Sequence, residues 1–225
     1  MSAYRAMQEV WARDWLMPWI GFHPGRVLDL GCGDGGVAVA FWRRGSRVDG
    51  HDITEHDWPV ESDVDACPDS GLILCQWDIR ESDGGGGDYD LIVLRDVLEH
   101  TGRKADVLAN ARQNLASDGR IFVSFPPYWS PYGGHQQSEL RGWWRFLPWL
   151  HRHPQLRHIR ETGLTMRHFE SLARDCGLRV VKKRSFLVRP FVSIRYGLPC
   201  IAGRGGELFT GGAWYLLAEE GDDAD

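Results

Sequence analysis

The sequence predicts an α/β fold, a doubly wound and mostly parallel sheet, and three observations lead there. Short apolar runs alternate with helix-like segments along most of the chain. The first apolar run, Val27-Leu28-Asp29-Leu30, passes directly into the glycine turn Gly31-Cys32-Gly33-Asp34-Gly35. Two later runs end on an aspartate, Asp52 and Asp78. Alternation of strand and helix patterns marks βαβ units, whose crossovers lay helices on both faces of a parallel sheet.

The elements follow in order. Met7, Trp11, Trp15 and Trp19 recur every fourth residue, which sets four large side chains on one helical face. A helical cap over about residues 1–22 is expected, packed across the sheet or closing a cleft at its edge. Strands are expected near 26–30, 47–51, 71–77 and 90–95, with helices near 34–44 and 103–116. Gly31 and Gly33 carry no Cβ, so the backbone between strand and helix can turn sharply and present N–H groups to a bound molecule. The glycine run between Asp83 and Asp88 reads as a polar loop, because it lacks the Gly-Lys-Ser/Thr ending of a phosphate cradle.

A fifth strand, Arg120 to Phe125, stops at Pro126-Pro127, which cannot donate ladder hydrogen bonds. Thr165 caps a further helix that Gly177 ends. Leu178 to Phe186 then reads as a strand and Gly212 to Glu219 as its antiparallel partner, followed by a frayed acidic tail from Gly221 to Asp225.

At 225 residues and 43% hydrophobic content the chain is sized for one domain with a full core. A net charge of −5 excludes the basic excess of a general nucleic-acid binder. Cys32, Cys67, Cys75, Cys176 and Cys200 form no Cys-x-x-Cys pair and read as reduced thiols. With no signal-like opening and no apolar run of membrane-spanning length, a cytoplasmic, soluble protein is expected. The oligomeric state is not legible.

Gly31-x-Gly33-x-x-Gly36 formally matches a dinucleotide fingerprint and leaves both a dinucleotide and an adenosyl ligand open. The acidic spacing narrows the choice. Asp52 falls about twenty residues after the turn, where a carboxylate accepts ribose hydroxyls. Asp78 ends a third strand, and the run Asp88-Tyr89-Asp90-Leu91-Ile92-Val93-Leu94-Arg95-Asp96 leads into Leu98-Glu99-His100. With Asp29 inside the first strand, this order resembles the class I S-adenosylmethionine (SAM) dependent methyltransferases over roughly residues 25–125. Asp29 and the Leu-Glu-His run decide for that family over a dehydrogenase.

The resemblance implies SAM as cofactor, S-adenosylhomocysteine (SAH) as product, and a Rossmann-like seven-stranded sheet completed by a C-terminal antiparallel hairpin. It assigns cofactor binding to Asp29, Gly31, Cys32, Gly33, Asp52, Ile53, Asp78, Ile79 and Arg95.

Pro127-Tyr128-Trp129-Ser130-Pro131-Tyr132-Gly133-Gly134-His135-Gln136-Gln137 is dense in rings and hydrogen-bonding tips, at the carboxyl end of the fifth strand. Ligands of open α/β sheets bind outside such ends. The run resembles a Phe-Pro-Pro and Ser-Pro-Tyr-Gly-Gly-His-Gln pattern of bacterial methyltransferases associated with glycan or secondary-metabolite pathways, which implies a small-molecule acceptor. Residues 140 to 160 interleave aromatic and basic side chains and read as part of a lid insertion over about 127–162, with contact to a membrane surface or an anionic ligand as the alternative.

Tyr128, Trp129, Tyr132, Trp143 and Trp144 are the candidate acceptor-binding residues. His135 and then His100 are the candidate general bases, since an imidazole titrates near neutrality. No metal is expected: there is no His-Glu-x-x-His pattern, and Asp96 with Glu99 are too few acidic ligands. The expected reaction is methylation of a hydroxyl on a sugar or secondary metabolite. N- or C-methylation, and a SAM-binding partner subunit without turnover, are the alternatives.

Overall fold

A computed structural model describes residues 2–54, 56, 58, 71–81, 87–128, 162–203 and 210–221. Ser2 accepts a hydrogen bond from the Arg5 N–H at 3.0 Å and so caps helix α1, Ala3–Trp11. A π-helical turn, Ala12–Leu16, and a short helix α2, Met17–Ile20, continue it to Gly21, whose φ of 83° ends the run. The wide turn shifts the helical phase. Leu16 therefore takes a fully buried position, and Trp15 is only partly buried where a regular spacing placed it inward.

Trp11 and Trp19 meet Trp214 edge to face at ring distances of 5.4 and 5.6 Å, and Phe122 stands beside all three. The aromatic face of the N-terminal segment is thus packed across the sheet.

Five strands, β1 Arg26–Leu30, β2 Arg47–Asp52, β3 Leu72–Gln76, β4 Tyr89–Arg95 and β5 Leu115–Phe125, pair in parallel. The full order is β3-β2-β1-β4-β5-β8-β6-β7, with β6 Leu178–Val188, β7 Ile201–Ala202 and β8 Gly212–Glu219. Strand β8 runs antiparallel to both β5 and β6, as the C-terminal hairpin requires.

The sheet has eight strands, one more than the expected seven. The extra strand is two exposed residues long, too short to carry a periodic signal. Strand β5 starts before Arg120, because Leu115 also pairs with Tyr89 across an irregularity in β4.

The parallel strands bury near-continuous apolar runs on both faces. Helix α3, Gly36–Trp42, is buried at every residue and packs with α1 over Val27, Val48, Leu91 and Val93. On the other face α4, Lys104–Gln113, and α5, Met166–Asp175, cover Leu28, Ile92, Leu94 and Ile121. Thr165 caps α5 through the His168 N–H at 3.0 Å.

A further helix, α6 Pro190–Tyr196, sets Phe191 against Tyr4 of α1 at 5.5 Å. Among the described cysteines, Cys32, Cys75, Cys176 and Cys200, there is no disulfide. Among the described residues, no helix is long and apolar enough to cross a membrane.

Candidate active site

The site begins where β1 ends. Gly31, Gly33 and Gly35 have φ of 76°, 53° and 77°, a left-handed backbone that a side chain strains. Each glycine has its own spatial reason. A Cβ on Gly31 would lie 2.5 Å from Val97 Cγ2, so β4's exit loop closes directly on the turn. A Cβ on Gly36 would lie 2.5 Å from the Arg5 carbonyl oxygen of α1. The third glycine of the formal dinucleotide pattern thus admits the N-terminal helix. Gly33 differs, since among the described residues a Cβ there would meet only Gln8 Nε2, at 4.0 Å. Its neighbourhood is the open approach to the turn.

Asp52, at the tip of β2, is locked into this turn. Its Oδ2 accepts the Gly33 N–H at 2.9 Å, and its Oδ1 accepts the Thr54 N–H at 2.9 Å. Trp58 Nε1 donates to the Gly33 carbonyl at 2.8 Å, and His56 lies 3.3 Å from Asp34 and 3.6 Å from Asp52. His56 and Trp58 were not singled out from sequence, because they sit in a loop with no periodic pattern. Ile53, next to Asp52, is 56% exposed and offers an apolar surface at the mouth of the turn.

Asp29 is buried and its Oδ2 has no hydrogen-bond partner. Burial pushes its carboxyl up to about 7, against the opposing Arg95 charge and a backbone hydrogen bond from Ala38. Arg95, at the end of β4, is also buried, with its guanidinium 4.8 Å from the Trp11 ring and 4.5 Å from the Phe191 ring, and its Nη2 has no partner. Burial likewise pushes the Cys32 thiol up, so it remains a neutral part of the core.

Beyond Arg95 the chain bends through Asp96, a non-glycine residue at φ 54°. Asp96 accepts from Ser124 Oγ and from Arg189 Nη1, both at 3.1 Å. Glu99 follows in the 3₁₀ turn Leu98–His100, buried, with neither carboxylate oxygen hydrogen-bonded. Burial first, and the Asp96 charge second, push the Glu99 carboxyl well above the usual carboxylate range. His100 Nε2 lies 3.8 Å from Glu99 Oε1 on the exposed side of the turn.

Glycines 31 and 33, Asp29, Cys32, Asp52, Ile53 and Arg95 therefore gather where β1, β2 and β4 end. Asp78 and Ile79 follow the end of β3. Arg80 hydrogen bonds hold the Asp78 carboxyl down to about 2. Ile79 is buried in the core beneath α4, where Asn110 Nδ2 donates to its carbonyl at 3.0 Å.

Tyr128 closes the β5 exit by donating its N–H to the Leu164 carbonyl at 2.9 Å. His135, Trp129, Tyr132, Trp143 and Trp144 lie outside the described residues, as does most of the expected lid. Among the described residues, no three His, Cys, Asp or Glu side chains gather as a metal site.

A family model described as a methyltransferase domain matches residues 4–183. The chain belongs to this methyltransferase family. Its class is that of the SAM-dependent class I methyltransferases, and the site fits that cofactor: an open approach over Gly33, a fixed carboxylate at Asp52, and unsatisfied polar atoms on Asp29 and Arg95.

A ubiquinone biosynthesis O-methyltransferase of Roseobacter denitrificans is 28% identical over 170 residues, which are 73% of this methyltransferase and 64% of that protein. The chain thus spans less than two thirds of that relative's length. The fold is shared with a Pyrococcus horikoshii protein, at TM-score 0.61 and 16% identity over 97% of this chain and 92% of the other. It is shared equally with a Burkholderia thailandensis 1,6-didemethyltoxoflavin-N1-methyltransferase bound to SAH, at TM-score 0.60 and 16% identity over 95% and 79%.

Proposed function

We propose that this methyltransferase carries the methyl group of SAM to a small-molecule acceptor, with a hydroxyl oxygen of a sugar or secondary metabolite as the receiving atom. One observation supports the reading above others. The Gly33 turn is open to a ligand while the neighbouring Asp52 carboxylate is held in a single orientation by two backbone N–H groups. Each Asp52 oxygen keeps acceptor capacity after those bonds, which suits a pair of ribose hydroxyls. Exposed Ile53 beside it supplies apolar surface for an adenine ring.

SAM supplies an already activated sulfonium methyl, so the protein's work is alignment, exclusion of water and handling of one proton. Glycines 31 and 33 let the backbone approach the donor, and the Val97 contact brings the β4 exit loop up to the same turn. A neutral hydroxyl is a poor nucleophile and gains from a base. His100 and His135 are the proposed bases, with Tyr128, Trp129, Tyr132, Trp143 and Trp144 as the acceptor wall. The O-methyltransferase name of the Roseobacter denitrificans relative supports oxygen as the receiving atom.

The test has two arms. Calorimetry should show SAH binding and no comparable NAD binding. Mass spectrometry of incubations with SAM and a panel of hydroxylated sugars and phenols should show an added methyl on oxygen. Tighter NAD than SAH binding overturns the cofactor assignment. Methylated nitrogen or carbon overturns the acceptor assignment, and SAH binding without any product across the panel favours a cofactor-binding subunit.

A further inference from the structure

Strand β6 has a neighbour on both sides for only part of its length. Its inner edge pairs with β8 from Leu178 to Phe186, while β7 meets its outer edge only at Phe186 and Val188. Residues 179–184 are exposed, and among the described residues no strand covers their outer side. The backbone N–H and C=O groups that point outward there are a template for one more strand. Because β8 is antiparallel to both β5 and β6, β6 runs parallel to β5, and its carboxyl end lies on the side of the glycine turn. The free stretch is its amino half, away from that site.

A groove of about 450 Å³ runs along this stretch, bounded by Glu170 and Arg174 of α5 and by Glu220. Its charge is lopsided. Lys183 pairs with Glu170 at 3.3 Å, and Lys182 donates to the Trp19 carbonyl at 2.6 Å. Arg174 and Arg179 are exposed and make no ion pair among the described residues, and against them stands Glu220. A register shift between Val180 and Lys182 leaves Val180 37% and Val181 44% exposed side by side, an apolar patch in the same groove.

These features select the occupant. A second copy of this edge would set Arg179, Lys182 and Lys183 against their own equivalents, and like charges opposed across strands are destabilising. The chain as a whole carries −5, which disfavours an extended anionic surface such as a bilayer or a nucleic acid. A short segment in the groove lies within a Debye length, about 10 Å, chiefly of its cations.

We propose that the outer edge of β6 is a docking site for an acidic, extended peptide segment of another protein, added as a further strand over residues 179–184. Main-chain hydrogen bonds supply the affinity, carboxylates beside Arg174 and Arg179 supply the charge match, and a β-branched side chain packs on Val180 and Val181. The site is separate from the methyl-transfer reading and does not depend on it.

Fluorescence anisotropy with three labelled peptides tests the assignment. One alternates glutamate and valine over the length of the free edge. A second replaces an inner valine with proline, which removes a donor N–H and blocks strand pairing, and a third carries lysine for glutamate. The glutamate peptide should bind, and the other two should bind at least about 10-fold more weakly. In the double variant Arg174→Glu with Arg179→Glu, affinity for the glutamate peptide should fall about 10- to 100-fold, with SAH binding and the urea midpoint at wild-type values. Should that variant fail to fold, the proline peptide still decides.

Equal binding of the glutamate and proline peptides, or no saturation by the glutamate peptide up to about 1 mM, overturns the proposal and leaves the cations as guards of a strand edge. Binding that appears only after residues 222–225 are removed makes this chain's own aspartates the occupant and overturns the assignment to a partner. Co-sedimentation with phosphatidylglycerol vesicles, without peptide binding, overturns it in favour of a membrane.

Discussion

Replacing Asp29 with asparagine should change how stability depends on pH, and the effect can be worked from the site. Burial raises the Asp29 carboxyl from its ordinary 3.8 to about 7 in the folded chain. The native state therefore keeps a proton that the unfolded chain releases. A raised carboxylate favours folding at low pH, and stability falls as pH climbs from the unfolded to the folded value. The slope is about 1.4 kcal/mol per pH unit, so roughly three units give a loss of about 4 kcal/mol by pH 8. Against the usual 5–15 kcal/mol of total stability that is a large fraction.

Asparagine does not titrate, and its amide adds an offset of about 1–3 kcal/mol, constant across pH, if its N–H₂ finds no partner. Glu99 is raised in the same direction and contributes the same trend, but it is present in both proteins and cancels from their difference. Urea unfolding of wild type and Asp29→Asn, each without cofactor, at pH 5, 6, 7 and 8 gives that difference directly. The gap should shift by about 1.4 kcal/mol from pH 5 to 6 and level off above 7. Parallel curves, separated by a constant amount over the whole range, refute the reasoning, because Asp29 would then be solvated or fully paired.

Three further outcomes follow from the site. Asp52→Ala should weaken SAH binding by about 1–3 kcal/mol in calorimetry, with little change in thermal stability, because the lost bonds lie at a half-buried loop tip. Arg189→Met should destabilise the chain by about 3 kcal/mol in urea unfolding, since it removes one charge partner of a mostly buried Asp96, and Asp96→Asn in the same chain should recover part of that loss. His135→Ala should lower turnover on a methylated acceptor by about 10²- to 10⁴-fold and flatten the rising limb of the pH-rate profile, with SAH affinity unchanged. Wild-type turnover would remove His135 from the chemistry.

Much of this protein was legible in its sequence, because the signals involved are local. Strand β1 and its glycine turn are specified by five consecutive apolar-rich residues and by glycines at positive φ. Residues 212–219 likewise declare themselves as a strand by their own apolar side chains. Asp52 was found because its distance from the turn is a property of the chain alone. Other features depend on residues far apart. The Arg189 to Asp96 ion pair joins positions 93 apart, and Phe191 reaches Arg95 from a short helix with no pattern of its own.

The inward turn of Leu16 in place of Trp15 comes from a π-helical register that a four-residue spacing does not reveal. That Ile79 is buried in the core, with Asn110 of α4 donating to its carbonyl, depends on a helix 31 residues further along the chain. Above all, the unsatisfied state of Asp29, Arg95 and Glu99 is a matter of burial. Whether a carboxylate is solvated or stripped of water depends on every element packed around it, so the identity of these residues was in the sequence and their chemistry only in the tertiary structure.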